Sequence, residues 1–289
     1  MKRLLIVGCG DIALRALPRL VRDYQVFGLV RSEQQSGRIA ALGAAPLSGD
    51  LDHPATLQEA AEVADLVLHL APPGDSAESD LRSANLIGAL ASRPPERLVY
   101  ISTSGVYGDC GGAWVDEDRP LSPQTQRGTR RADAERTLLA WGKHSGVAVI
   151  VLRVPGIYAT ERLPLAQLRR GAPVLRPEDD VYTNHIHADD LAAICVTALA
   201  RGDAGRVFNA SDDSEMKMGD YFDLVADRAG LPRPPRITRA AAEAGAISEG
   251  LLSFMRESRR LVNARMKTEL GVRLRYPSVR EGVPQVVTV

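Results

Sequence analysis

Residues 3–13 of the chain read RLLIVGCGDIA. The apolar run at residues 4–7 predicts a short buried strand, and the residues after the two glycines show the spacing of a helix. A strand, a G-x-G-x-x-A turn and a helix in this order are typical of a loop that binds the pyrophosphate of a dinucleotide. In such a loop Gly8 permits the tight turn, Gly10 lets the backbone approach the phosphates, and Ala13 keeps the helix close to the strand.

The amino end of this helix and the end of the second predicted strand would complete the dinucleotide site. Asp11 and Ile12 open the helix, whose backbone N–H groups and positive dipole end would face the phosphates. An NAD site places a carboxylate on the ribose 2′-hydroxyl after the second strand, but this chain has Arg31 and Ser32 there. A guanidinium can pair with a 2′-phosphate, so the sequence predicts NADP. The alternative is NAD, with Arg31 as an ordinary solvated arginine.

Predicted strands and helices alternate through the first half of the chain. Strands are predicted over residues 3–7, 25–30, 45–48, 65–70, 97–102 and 147–153, and helices over residues 12–21, 56–63, 77–92 and 125–144. This alternation predicts an α/β fold with a doubly wound parallel sheet, in a dinucleotide-binding domain of residues 1–153. A smaller, partly interleaved substrate domain is predicted over residues 154–289, with 184–210 returning to the first domain. Its predicted helices span residues 188–200, 218–229 and 253–270.

Composition and charge exclude several classes of protein. The chain has 289 residues, 45% of them hydrophobic, as expected of a globular protein with a sizeable core. Its 36 basic residues balance 36 acidic ones, so no global field attracts nucleic acid or an anionic membrane, and neither partner is predicted. The three cysteines are widely spaced, which indicates neither a disulfide framework nor a zinc cluster. No apolar run reaches the roughly 18 residues of a membrane helix. We expect no metal site and a cytoplasmic protein.

Four further segments carry a family resemblance: RLVYISTSGVYG at residues 97–108, GDL at 49–51, RVPGIY at 153–158 and NHIHADDLA at 184–192. In this order they resemble the extended short-chain dehydrogenase/reductase superfamily, in its NAD-dependent epimerase/dehydratase group. The resemblance implies a Rossmann-type NAD(P)-binding domain. It also implies further cofactor contacts, at Asp50 and Leu51 beside the adenine, at Leu70 and Ala71 after the fourth strand, and at Pro155 beside the nicotinamide.

The resemblance implies a catalytic set of which this chain keeps one part. Members of the superfamily polarise the substrate oxygen with a serine or threonine, and Thr103 occupies that position between Ser102 and Ser104. They move the proton with a tyrosine whose pKa is lowered by a lysine four residues later. The chain keeps the polarising hydroxyl but not this pair, because residues 125–135 contain neither tyrosine nor lysine.

Arginines stand where the missing pair would be. Counting back eight residues from Glu135 places Arg127 at the tyrosine position and Arg131 at the lysine position. Arginine is a poor proton shuttle because its pKa exceeds about 12. In this respect the chain resembles atypical members that keep the glycine loop but lack the pair. Arg127, Arg130 and Arg131 share one helix face, which would bind an anionic substrate or the cofactor phosphates; the alternative is a solvated face balanced by nearby carboxylates.

Several other residues have simpler interpretations. We expect Tyr107 to pack in the interior rather than to transfer protons, and one of His185 and His187 to cap a helix or join the domain interface. The alternative is that either histidine acts as an acid or base. The acidic residues 116–118 are expected at the surface. The arginines of the predicted last helix are also expected there, namely Arg256, Arg259 and Arg260.

Two functions of different classes follow. The first is an NAD(P)-dependent oxidoreductase or an epimerase/dehydratase-like enzyme that acts on a small polar substrate, sugar-like or carbonyl. The second is a non-catalytic NADP-binding sensor or scaffold, which the loss of the tyrosine and lysine motivates. Many relatives dimerise through the long helix at residues 125–144, so the resemblance also implies a homodimer.

Overall fold

The computed structural model describes residues 1–74 and 79–284, and its centre is a seven-stranded sheet in which all paired strands run parallel. The strands are β1 (Arg3–Val7), β2 (Gln25–Val30), β3 (Ala45–Ser48), β4 (Leu66–His69), β5 (Arg97–Thr103), β6 (Ala148–Val154) and β7 (Val207–Asn209). Their spatial order is β3-β2-β1-β4-β5-β6-β7. The order reverses between β1 and β4, which opens a crevice at the carboxyl ends of the strands. The predicted doubly wound fold is confirmed.

Helices cover both faces of this sheet. Those of eight or more residues in the described part of the chain are α1 (Asp11–Asp23), α2 (Glu33–Ala40), α3 (Leu81–Leu90), α4 (Gln126–Ser145), α5 (Ala188–Arg201) and α6 (Met218–Ala229). Leu17 of α1 and Leu199 of α5 belong to one apolar cluster, on one face of the sheet. Leu86 of α3 and Leu138 of α4 belong to a second cluster, on the other face. All four side chains are fully buried, so the sheet has an apolar core on each side.

Shorter elements connect these helices and strands. Short helical segments lie at Pro54–Leu57, Ala60–Val63, Ser104–Tyr107, Thr160–Arg162, Leu165–Arg169, Arg239–Ala241, Ala242–Ala246, Glu249–Phe254, Ala264–Glu269 and Val279–Gly282. Short strands lie at Trp114–Val115, Gly156–Tyr158, Val174–Leu175, Tyr182–Thr183, His185–His187, Met216–Lys217, Arg236–Ile237 and Arg260–Leu261. Within residues 1–74 and 79–284, no helix is both long enough and apolar enough to cross a bilayer.

The second half of the chain contributes to the central sheet and builds a core of its own. β7 pairs with β6, and α5 packs against α1, so residues 188–209 belong structurally to the sheet and its covering layer. A separate apolar cluster contains Tyr158, Val174 and Phe222 and lies under the short elements of the second half. We retain the division after residue 153 as a proposal about domains.

Two helix predictions are wrong, and a third lies partly outside the described residues. The predicted helix at residues 56–63 is two 3₁₀ turns, Pro54–Leu57 and Ala60–Val63. The predicted helix at residues 253–270 is broken by a strand at Arg260–Leu261, where backbone hydrogen bonds to residues 110–115 replace the helical ones. The predicted start of the helix at residues 77–92 lies outside the described residues, and its later part is α3.

The helix α4 is fixed at both ends, which sets the position of its arginines. The Thr125 hydroxyl accepts a hydrogen bond from the Gly128 N–H at 3.1 Å and caps the first turn. Gly146 ends the helix with a φ of 78°, the left-handed conformation that glycine favours. Gly128 packs against the 3₁₀ turn at Ser104–Tyr107, because a Cβ there would lie 2.9 Å from the Gly105 carbonyl oxygen. The first turns of α4 are therefore held against the end of β5.

Candidate functional site

The residues predicted to bind the cofactor follow successive strands of the sheet. Gly8 follows β1, Arg31 follows β2, Asp50 comes two residues after β3, and Leu70 follows β4. Because the strands are parallel, their carboxyl ends lie at one edge of the sheet. Pro155 follows β6 at the same edge. The structure therefore brings the predicted cofactor residues to the edge at which dinucleotides bind in this fold class.

The glycine loop has the geometry that a dinucleotide requires. Gly8 has a φ of +96°, and a Cβ at this position would lie 2.5 Å from the Ala71 nitrogen and 2.8 Å from the Leu70 carbonyl carbon. The close packing of β1 and β4 at the crevice thus depends on a glycine. A Cβ on Gly10 would meet no atom within 4 Å, so the backbone at Gly10 is open to a bound group. These two observations fit a loop that holds a pyrophosphate against the start of α1.

The first turn of α1 carries an ion-paired carboxylate. Asp11 accepts a hydrogen bond from Arg15 at 2.9 Å and lies 3.0 Å from the Arg162 guanidinium. Arg15 also pairs with Glu161 and Asp189, so the Asp11 carboxylate belongs to a network of three carboxylates and two arginines. Ile12 is buried, so its side chain packs while its backbone lies in the first turn of the helix.

The residues after β2 leave groups available for a phosphate. Arg31 is exposed, and its guanidinium makes no hydrogen bond or ion pair with any described residue. The Ser32 hydroxyl accepts the Gln35 N–H at the start of α2 and keeps its own O–H for donation. Both side chains can therefore turn to a 2′-phosphate.

The loop after β3 is held by its own hydrogen bonds. The Asp50 N–H donates to Thr56 at 2.9 Å, and the Asp50 carboxylate accepts from the Asp52 N–H at 3.1 Å. Leu51 is buried, and its carbonyl oxygen accepts from the Asn85 amide. This loop presents a half-buried carboxylate and an apolar side chain where the resemblance places the adenine.

A cleft of about 450 Å³ opens beside the ends of β5 and β6. The predicted residues that line it are Ser102, Thr103, Ser104, Arg127, Arg131 and Pro155. The opposite wall comes from the second half of the chain and includes Tyr158, His185 and Tyr221. The glycine loop and the loops after β2 and β3 are not part of the cleft lining, so cofactor and cleft residues form two adjoining sets.

Thr103 has a hydroxyl available for a ligand. It ends β5, and its Oγ1 accepts the Gly105 N–H at 3.2 Å, which caps the 3₁₀ turn at Ser104–Tyr107. This bond uses an acceptor site and leaves the Thr103 O–H free to donate to an oxygen in the cleft. Ser102 differs, because its hydroxyl donates to the buried carboxylate of Glu135. We therefore regard Ser102 as a positioning residue.

A buried ion pair holds the end of β5 in place. Glu135 of α4 and Arg153 of β6 meet with an Nη2–Oε2 distance of 2.9 Å, and both side chains are almost completely buried. Arg153 also donates to the Tyr107 hydroxyl at 2.8 Å, and that hydroxyl donates to Asn209 at 2.8 Å. Tyr107 is thus buried and hydrogen-bonded in the interior and does not line the cleft, in agreement with the expectation that it packs there. Burial raises its pKa to about 12, which also disfavours proton transfer.

The two arginines at the tyrosine and lysine positions both line the cleft. Arg131 donates through one nitrogen, Nη1, to the Tyr100 hydroxyl at 3.0 Å and to the Ile101 carbonyl oxygen. The Arg127 guanidinium lies 4.6 Å from the centre of the Phe254 ring. Arg130, on the same predicted face, is absent from the cleft lining. Arg127 and Arg131 therefore place positive charge where the superfamily has its tyrosine and lysine.

Two surface predictions are wrong because backbone groups in the interior required partners. Glu117 is buried, and its carboxylate accepts the Asn209 N–H at 2.8 Å, although the acidic run was expected at the surface. Arg259 is also buried, since it donates to the Gly108 carbonyl oxygen at 2.6 Å. Arg260 stacks on Trp114 and Tyr182.

Sequence reasoning did not assign Glu257 and Tyr221 to the cleft. Glu257 pairs with Arg259 at 2.9 Å, and its second carboxylate oxygen is buried without a hydrogen bond in the described part of the chain. The sequence did not indicate the position of Glu257, because residues 253–270 were predicted as one continuous helix. Tyr221 packs on His185, with ring centres 4.4 Å apart. Burial lowers the pKa of His185 to about 3, so this ring is neutral at physiological pH.

Asp212 gives the folded protein a testable pH dependence. Burial raises the pKa of its carboxyl to about 7, whereas an unfolded chain has a value near 3.9. Between these values the folded state binds more protons, so the free energy of unfolding falls as pH rises, by at most about 1.4 kcal/mol per pH unit. Asp212→Asn removes this contribution. We expect the melting temperature of the variant, relative to wild type, to be higher at pH 8 than at pH 5.

Thermal melts at the two pH values check this expectation. Asp203→Asn, at an exposed carboxylate, is the matched control and should show the same difference from wild type at both. An Asp212→Asn offset that does not change with pH would show that the carboxyl titrates normally.

Comparisons with known proteins agree with this geometry. The NAD dependent epimerase/dehydratase family matches residues 10–211, and the chain belongs to that family. A curated relative is the 4-hydroxy-2-methyl-3-oxo-4-farnesyl-3,4-dihydroquinoline-1-oxide ketoreductase of Stigmatella aurantiaca, 27% identical over 85% of this chain and 80% of the relative. The family unites NAD(P)-binding proteins of the Rossmann type, which is the class that the sheet and glycine loop define.

Solved structures are similar over nearly the whole chain. A conserved protein of unknown function from Silicibacter pomeroyi superposes with a TM-score of 0.82 and 32% identity, over 98% of this chain and 96% of that one. A dTDP-glucose 4,6-dehydratase from Bacillus anthracis, solved in complex with NAD, superposes with a TM-score of 0.77 at 18% identity, over 98% and 94%. The second likeness concerns the fold alone.

Proposed function

We propose that the chain is an NAD(P)-dependent oxidoreductase or an epimerase/dehydratase-like enzyme that acts on a small polar substrate, sugar-like or carbonyl. The observation that carries this proposal is the adjacency of two sets of residues. A glycine loop built for a pyrophosphate and a cleft with a free Thr103 hydroxyl both lie at the carboxyl edge of one parallel sheet. The family membership of the chain supports the same class of reaction.

The residues of the cleft suggest how a substrate would be held. Bound NAD(P) would supply the hydride acceptor or donor of the reaction. The Thr103 O–H would donate a hydrogen bond to the reacting oxygen and so orient it. Arg127 and Arg131 would place positive charge near an oxygen that becomes negative, but neither is suited to exchange a proton. A water molecule or another cleft residue would then carry the proton.

A substrate panel tests this proposal. Aldehydes and ketones are offered with the reduced cofactors and nucleoside diphosphate sugars with the oxidised ones. Absorbance at 340 nm reports net oxidation or reduction, and product analysis reports epimerisation or dehydration, in which the cofactor is regenerated. For a substrate that is turned over, Thr103→Val should lower kcat/KM by about 100-fold, because one preorganised donor is lost. Thr103→Ser keeps the hydroxyl and should retain most of the activity. Equal kcat/KM in wild type and Thr103→Val would show that the Thr103 hydroxyl does not contribute to the reaction.

NADP is the proposed cofactor, on the strength of the exposed Arg31 guanidinium and the adjacent Ser32 hydroxyl. Arg31→Ala should raise the Kd of NADPH by about 10- to 100-fold, since a charged hydrogen bond contributes roughly 1.5–3 kcal/mol. The Kd of NADH should stay within about twofold, because NADH has no 2′-phosphate for the arginine to bind. Titrations followed by nicotinamide fluorescence give both constants.

Arg38→Ala is the matched control for that substitution. Arg38 is an exposed arginine at the end of α2, the helix that starts after Ser32. Its removal lowers the net charge by the same amount without changing the loop after β2. An equal loss of NADPH affinity in both variants would attribute the effect to net charge and would remove Arg31 as the determinant of cofactor choice.

The second candidate function is a non-catalytic NADP-binding sensor or scaffold. It is favoured by one observation, the arginines at the positions of the tyrosine and lysine. A sensor would bind NADPH tightly, turn over no member of the panel and change its shape on binding. Limited proteolysis and hydrodynamic radius, each measured with and without NADPH, test this. If neither changes while NADPH is bound, the sensor function is excluded.

A further inference from the structure

The cleft contains two arginines, Arg127 and Arg131, that form no ion pair with a described carboxylate. Two other arginines that line the same cleft have acidic partners, since Arg162 pairs with Asp11 and Arg259 pairs with Glu257. Arg127 and Arg131 have no carboxylate oxygen within 4.0 Å among residues 1–74 and 79–284. They lie four residues apart on α4, so their side chains share one helix face.

Each of the two guanidinium groups keeps hydrogen-bond donors for a ligand. Arg131 makes its bonds to Tyr100 and Ile101 through Nη1 alone, and these bonds anchor it. Its Nε and Nη2, the edge that fits a carboxylate or phosphate with two parallel bonds, have no partner in the described part of the chain. Arg127 contacts Phe254 through the face of its guanidinium, and stacking of this kind leaves the in-plane N–H groups available.

Burial makes an anion the natural partner of these groups. The pKa of Arg127 is lowered by burial, which means that the surroundings disfavour its charge when no anion is bound. Glu257 acts in the opposite direction on the same pKa, but it is already paired with Arg259. The positive charge of the two arginines is thus located inside a cleft of about 450 Å³, together with the Thr103 hydroxyl.

We propose that the substrate carries an anionic group, a carboxylate or a phosphate, close to its reacting carbon. Arg127 and Arg131 bind this group by hydrogen bonds in the same cleft in which Thr103 orients the reacting oxygen. The inference rests on the proposed function for the identity of the anion as part of a substrate. It distinguishes this cleft from one in which the same two positions hold a tyrosine and a lysine for proton transfer.

Small anions test the site without knowledge of the substrate. The full chain, saturated with NADPH, is titrated with malonate, with inorganic phosphate and with malonamide, the neutral counterpart of malonate. Isothermal titration calorimetry gives the Kd of each probe. We expect malonate or phosphate to bind and malonamide not to bind, and the preference between the two anions names the anionic group. Higher NaCl should weaken the binding, as for any charge-dependent contact that solvent can reach.

Substitutions locate the site. Arg127→Gln should weaken binding of the preferred anion at least tenfold, because a charged donor is lost. Arg136→Gln is the matched control, since Arg136 lies on the same helix but is exposed and paired with Asp133. Its Kd should match that of wild type. Arg131→Lys serves as the second variant, because it keeps the charge that anchors α4 to β5 but loses the two-pronged contact.

The outcomes separate this inference from the proposed function. Anion binding that falls in Arg127→Gln and persists in Arg136→Gln supports the site. Absence of binding by both anions, or equal binding in wild type and Arg127→Gln, overturns it. NADPH binding without an anion site leaves the proposed function standing and removes the inference. An Arg127-dependent anion site in a protein that binds neither NADPH nor NADH keeps the site and removes the proposed function.

Discussion

Gly10→Val is expected to abolish NADPH binding, with a Kd raised at least 100-fold, while the protein stays folded. The backbone of Gly10 lies in an ordinary extended conformation, with a φ of −87°, and a Cβ there meets no protein atom within 4 Å. The fold therefore tolerates a side chain at this position. The same side chain would occupy the space that the pyrophosphate needs above the amino end of α1. Fluorescence titration and thermal melts measure the two effects separately.

Gly8→Ala is the informative comparison for that variant. Its added Cβ would lie 2.5 Å from the Ala71 nitrogen on a backbone with a φ of +96°, so it strains the fold itself. We expect Gly8→Ala to lower the melting temperature and Gly10→Val to change it little. Unchanged NADPH affinity in a folded Gly10→Val protein would show that the loop does not bind the cofactor.

Glu135→Ala is expected to destabilise the protein by about 3–5 kcal/mol, the usual cost of leaving one member of a buried ion pair without its partner. The side chains of Glu135 and Arg153 are 2% and 6% exposed, so Arg153 would keep a buried and unpaired charge. Ser102 would also lose its hydrogen-bond acceptor. In a chain of this length the loss corresponds to roughly 10 °C in melting temperature.

Chemical denaturation measures this loss directly. Arg136→Ala, on the next residue of α4, removes an ion pair whose arginine is 76% exposed, and it should cost less than about 1 kcal/mol. A double variant, Glu135→Leu with Arg153→Met, removes both charges and should be more stable than Glu135→Ala. A loss of under 1 kcal/mol in Glu135→Ala would mean that the pair does not hold α4 against β5 and β6.

The order of elements and the glycine loop could be predicted from sequence because both depend on local patterns. The apolar runs that become β1, β2 and β5 are short, continuous and bounded by turn residues, as buried parallel strands are. The G-x-G-x-x-A pattern lies within one strand–turn–helix segment, although the contacts that require Gly8 are with Leu70 and Ala71. Thr103 could be placed by the family resemblance of residues 97–108, and the structure adds that it ends β5 and caps the turn that follows.

The opposite wall of the cleft could not be predicted, because it is built by contacts between distant parts of the chain. Glu257 reaches the cleft since the carbonyl oxygen of Ser258 accepts the N–H groups of Cys110 and Gly112, almost 150 residues earlier. The helical spacing of residues 253–270 carries no sign of this pairing. The charge on Glu117 likewise suggested a surface position, whereas its acceptor role toward the Asn209 N–H decides its burial.

We propose that the crevice at the reversal of strand order binds a nicotinamide dinucleotide for redox chemistry. The most direct measurement is a titration of the purified wild-type protein with NADPH and NADH in parallel, followed by nicotinamide fluorescence. We predict saturable binding of NADPH, with NADH bound more weakly. Saturable binding of NADH alone would contradict the choice of NADP. Binding of neither would show that the fold is kept without its cofactor, and would contradict both proposed functions.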